Sequence, residues 1–146
     1  MSNASSIFTA ARGKVSTLLG ASYKEHTNIF DTEDLATVNL DNGYSVLLVD
    51  VDEKSPQVNK NFIERSLKIT VTHRTFASVD AGKVIVKLAT VYDKEAAIIE
   101  EIRCWSDPTI GMIKALPKTT TKVEQMFDGE DSFIVNTLNF VILYIN

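Results

Sequence analysis

Apolar positions recur along this chain with two different periods. Between residues 4 and 20, Ile7, Phe8, Ala11, Val15, Leu18 and Leu19 fall on one stripe at helical spacing. Such a stripe is what an amphipathic helix lays against a core. Asn3 or Ser5 offers a cap for its start, and Gly20 a close for its end. Residues 21–34 are polar and irregular, with Ile29 and Phe30 as anchors to the core and Asp31, Glu33 and Asp34 as a small acidic cluster. Leu35 to Leu40, Asp41-Asn42-Gly43 and Tyr44 to Val51 then read as a hairpin, because Asn-Gly accommodates the positive φ angles of a tight turn. In its second strand Tyr44, Val46 and Leu48 share one face, and Leu47, Val49 and Val51 the other.

Residues 50–61, DVDEKSPQVNKN, are the most polar segment. Pro56 argues against a central strand there, so a long loop or arm is expected. Phe62 to Phe76 alternates cleanly: Leu67, Ile69, Val71 and His73 on a buried face, Lys68, Thr70, Thr72 and Arg74 on a polar one. Val79 to Trp105 reads as a long helix with Ile85, Leu88, Tyr92, Ala96, Ile99 and Ile102 as its stripe and Asp80 as its cap. A strand over Val84 to Val86 competes locally. Pro108 ends the helical run, and Thr109 to Leu116 reads as a short helical turn. Thr119 to Phe127 and Ser132 to Ile145 form a closing hairpin around Asp128-Gly129. The order predicts an α+β fold: a mostly antiparallel sheet of four to five strands packed with an N-terminal helix and a long central helix.

The last strand changes this picture. Ile134, Leu138, Phe140, Ile142 and Tyr144 make one apolar face, and Phe133, Val135, Val141, Leu143 and Ile145 make a second. An antiparallel sheet with helices on one side should show a polar second face. Either a second subunit or the N-terminal helix covers the apolar one.

Composition sets limits. The 146 residues suit one domain, and a chain of that length buries a core without disulfides or metal. A net charge of −4 does not suit binding to nucleic acid by charge neutralisation. One cysteine, Cys104, excludes an internal disulfide and suits a reducing compartment. The N-terminus lacks the pattern of a signal peptide, and no apolar stretch reaches the ~20 residues of a membrane span. The chain is expected to be cytosolic where it is made.

Candidate chemistry is sparse. His26 lies in a polar loop and His73 at a strand end, and neither belongs to a spaced ligand set. Cys104 falls near a helix C-terminus, whereas thiolate activation favours an N-terminus. Asp50-Val51-Asp52-Glu53 and Asp128-Gly129-Glu130-Asp131 lack the ligand spacing of a calcium loop. The six glycines are scattered and make no phosphate loop. No cofactor and no catalytic or metal residue is expected, and the chain reads as a non-enzymatic assembly protein.

The opening helix IFTAARGKVSTLLG, the pieces IFDTEDLATVNL and YSVLLVDV, the excursion DEKSPQVNKN, the strand RSLKITVTHRTF and the ending TLNFVILYIN together resemble the tail terminator, or tail completion, proteins of long-tailed bacteriophages. The likeness covers most of the chain and is one of order and texture. It implies a virion protein of the tail and neck that assembles as a late product in the host cytoplasm. Such proteins form a hexameric ring that caps the tail tube, ends its polymerisation and joins it to the head connector. Its partners would be copies of itself, the tube protein and the connector protein. DNA would pass through the lumen without specific binding, and no membrane is involved. An acidic lumen suits that passage. Asp31, Glu33 and Asp34 are the expected lumen or connector face. Asp52, Glu53, Lys54, Lys60, Phe62, Glu64 and Arg65, in and beside the polar arm, are the expected contacts with a neighbouring subunit or the tube. Alternatives are another neck protein (a head-completion adaptor or tail tube subunit), a small hydrolase using His26, His73 and Cys104, or a binding module that adds a strand to the terminal strand.

Overall fold

The computed structural model describes residues 2–26, 42–52, 62–75, 81–128 and 131–146. Helix α1 spans Asn3–Leu19 and buries Ile7, Ala11, Val15 and Leu19, the expected stripe. Its cap is Ser2, whose hydroxyl accepts from the Ser5 amide at 3.1 Å. The expected cap Asn3 does something else: its amide donates to the Ile145 carbonyl at 2.7 Å and ties the helix start to the end of the sheet. Gly20 ends the helix with φ of 84°, a conformation open to glycine.

Five strands form one sheet in the order β1-β2-β3-β5-β4. They are β1 (Lys24–Glu25), β2 (Gly43–Asp52), β3 (Phe62–Thr75), β4 (Met112–Asp128) and β5 (Asp131–Ile145). All neighbours pair antiparallel except β1 with β2. The fold is therefore α+β, as the pattern implied. The positive φ angles expected of a tight turn at Asn42-Gly43 are absent. No non-glycine residue has positive φ among the described residues, and Gly43 is not among the positive-φ glycines. Gly43 instead opens β2 beside β1. A Cβ there would sit 2.6 Å from His26 Nε2 and 2.8 Å from the Lys24 carbonyl oxygen. Glycine serves close approach rather than a turn. Leu35–Leu40, Ile29 and Phe30 lie outside the described residues.

Helix α2 spans Ala81–Arg103, which sets aside the strand at Val84–Val86. Its buried row is Val91, Ile98 and Ile102. The expected stripe is thus corrected: Ile85 and Tyr92 are 68% and 53% exposed, and Ala96 is exposed too. A 3-10 turn at Pro108–Ile110 follows. The helical turn expected over Thr109 to Leu116 gives way after it to β4, which starts at Met112.

The core lies between the helices and one sheet face. Ile7, Ala11, Val15, Leu19, Ile98 and Ile102 pack with Val46, Ile69, Leu67, Leu138, Phe140 and Ile142, and of these Val46 pairs with Ile69, Ile69 with Leu138 and Leu67 with Phe140 across the strands. Both helices thus cover the same face, and α1 does not shield the other. Lys94 of α2 binds this layer together, its ammonium donating to the Leu18 and Leu19 carbonyls at the α1 end, each at 3.4 Å. Phe133 and Val135 on the outer face are buried at one end of the sheet. At the other end Phe62 and Ile145, which are paired, are 39% and 41% exposed.

Candidate functional site

Three groups of side chains merit weighing as a site: buried polar residues, the expected arm, and uncovered apolar surface. The buried polar group gathers where β3 meets the end of α1. His73 is fully buried, and its Nδ1 lies 2.8 Å from the Tyr23 hydroxyl. The rings meet edge to face with centroids 5.4 Å apart. Burial pushes the His73 imidazole down to about 4, and the charges of Lys87 and Lys94 push the same way. Burial likewise raises Tyr23 and lowers His26. These groups are therefore held neutral. Two residues along β3, the Thr75 and Ser132 hydroxyls bond to each other across the strands.

Cys104 is exposed just after α2. It precedes Asp107, which bridges to Met112, and Met112 pairs with Tyr144. His73 pairs with Ile134. Ten residues of β5 separate those two partners, about 33 Å of strand. His73 and Cys104 thus sit towards opposite ends of the sheet, so the trio a small hydrolase would use is not brought together. Among the described residues, no group of three or more His, Cys, Asp or Glu side chains could hold a metal ion.

The structure places part of the expected contact set. Asp52 pairs with Glu64 and Val51 with Arg65, beyond a register shift that follows Leu48. The Arg65 guanidinium donates to the Val49 carbonyl at 3.0 Å, which satisfies a backbone group freed by that bulge. Arg65 is thus engaged in its own sheet. Phe62 stands partly open, and Glu64 is half-buried. Glu53, Lys54 and Lys60 lie outside the described residues, as do Asp31, Glu33 and Asp34.

The uncovered apolar surface has a geometry of its own. On α2, Ile85, Ala89, Tyr92 and Ala96 follow one another at steps of four, three and four, all exposed. At 3.6 residues per turn they form one line, about a third of a turn from the buried row of Val91, Ile98 and Ile102. Val86 beside them is 71% exposed. Sequence reasoning merged these two rows into one stripe; the four-three-four spacing was the signal that separated them. The second patch is the open end of the outer sheet face, where Phe62 and Ile145 adjoin half-buried Val141 and Leu143. The terminal strand offers no edge for strand addition, because β5 lies between β3 and β4.

No protein-family model matches the chain, and no curated protein sequence matches it.

Proposed function

We propose that the protein is a non-enzymatic assembly subunit of the tail-terminator kind, a ring of copies that caps a phage tail tube and presents a joint to the head connector. The observation that carries this reading is the apolar surface left open on a fold with a complete core. The α2 row at Ile85, Val86 and Tyr92 and the sheet end at Phe62 and Ile145 are surfaces that a lone chain gains by covering. Two separate patches suit a ring, because head-to-tail contacts need two different surfaces that meet each other. An opening helix, strands, a second helix and a closing hairpin are also the order of elements on which the resemblance rests.

In this reading one ring face complements the tube end, and the opposite face lacks the surface on which the next tube ring would grow. The test is tube extension in the presence of purified protein, followed by electron microscopy. Capping appears as tubes of arrested length with density at one end. Tyr92→Glu and Phe62→Glu place charge in the two patches, and each should leave the fold intact while ending ring formation and capping. Unchanged tube growth with the wild-type protein, or full capping by both variants, contradicts the proposal.

A further inference from the structure

Strand β4 is the long outer strand of the sheet: it pairs with β5 on one side, and no described strand lies on its other side. A free edge of that length is a template for another strand, and folds usually blunt it with proline, bulges or charge. The first part of β4 is blunted in this way. Its register slips between Met112 and Lys114 and again between Ala115 and Thr119, around Pro117. The second part is not. From Thr119, opposite Phe140, to Asp128, opposite Asp131, pairing with β5 runs without a shift, and no proline or glycine interrupts it.

The charges along this regular stretch have a pattern. It reads Thr119-Thr-Thr-Lys122-Val123-Glu124-Gln-Met-Phe-Asp128. About a twofold axis through Val123, an antiparallel second copy sets Lys122 opposite Glu124 and Glu124 opposite Lys122. Both charged positions beside Val123 then face the opposite sign. Registers centred on Lys122 or on Glu124 set like charges face to face and are disfavoured. In the single chain Lys122 and Glu124 lie on the same side of the strand, their charged atoms 3.4 Å apart and their side chains 70% and 43% exposed. They are open to exchange that contact for two across the strands.

We infer that two copies of this chain join edge to edge along Thr120–Met126 of β4, antiparallel about Val123, and extend the sheet continuously across the pair. This goes beyond the ring reading and does not depend on it. A twofold pair is closed and uses a surface apart from both apolar patches.

The charge pattern supplies a test that a loss of folding does not imitate. Lys122→Glu sets Glu opposite Glu, and Glu124→Lys sets Lys opposite Lys. Each variant, with the full chain and unchanged thermal unfolding, should weaken the pair by about tenfold or more in sedimentation velocity. An equimolar mixture of the two variants restores complementary charges in the mixed pair only. Native mass spectrometry should then show the mixed pair in excess over either self-pair. The double variant carrying both changes should pair as the wild type does. A wild-type chain that does not pair, single variants that self-associate as well as it does, or a mixture with no preference for the mixed pair would overturn the inference.

Discussion

The buried histidine of β3 makes stability depend on pH in a defined window. His73 moves from 6.5 in an unfolded chain to about 4 in the folded one. Between those values the unfolded state binds a proton that the folded state refuses, so stability rises with pH across the window and falls as acid is added. The full shift is worth about 3 kcal/mol, lost once the pH drops below the folded value. Integrated from about pH 7.5 down to about pH 5, the loss is about 2 kcal/mol. That is a large part of the stability of a domain this size. His26 is lowered by burial as well and deepens the loss in the same direction. The Glu25 carboxyl, held down by Arg12, acts mainly in the carboxylate range below this window. Urea unfolding at the two pH values measures the effect. His73→Gln has no imidazole to protonate. It should be less stable at neutral pH but should lose about 2 kcal/mol less than the wild type between the two conditions. Equal stability of the wild type at both pH values, or an undiminished pH dependence in His73→Gln, would refute the assignment of His73 as a neutral buried base.

Two further substitutions probe the frame. Gly43→Ala drives a Cβ to within 2.6 Å of His26 Nε2 and 2.8 Å of the Lys24 carbonyl, and should cost about 2 kcal/mol in urea unfolding by prising β1 from β2. Phe140→Ala empties a fully buried site of the core, and should cost about 3–5 kcal/mol, read as a lower unfolding midpoint with an unchanged m-value.

Much of the fold was legible because its signals are local. The stripe Ile7, Ala11, Val15 of α1 and the alternation Leu67, Ile69, Val71, His73 of β3 each report a period that the core then uses. What was not legible depends on distant partners. Strand β1 has only Lys24 and Glu25, too few to show a period, and exists because β2 lies beside it. Asn42-Gly43 carries the signature of a turn, but the glycine is there to admit His26. The start of β4 is broken by Pro117 and two register shifts, so its alternation is lost and it imitates a helical turn. On α2 the two apolar rows overlap in projection through Leu88 and Ile99, which are half-buried, and only the packed sheet decides which row faces inward. The candidate surfaces follow the same rule. The open sheet end was foreshadowed by the two-faced terminal strand, with Phe62 and Ile145 its visible part. Which row of α2 faces outward, and the charge-symmetric edge of β4, needed the topology.

The central claim is that this chain completes its burial against other protein, first of all against itself. Native mass spectrometry of the full chain, alone and after incubation with tail tubes, addresses it most directly. The account predicts assemblies of more than one copy, and protein bound at tube ends at which further growth has stopped. A chain that stays single across the whole accessible concentration range and leaves tubes bare and growing would contradict it.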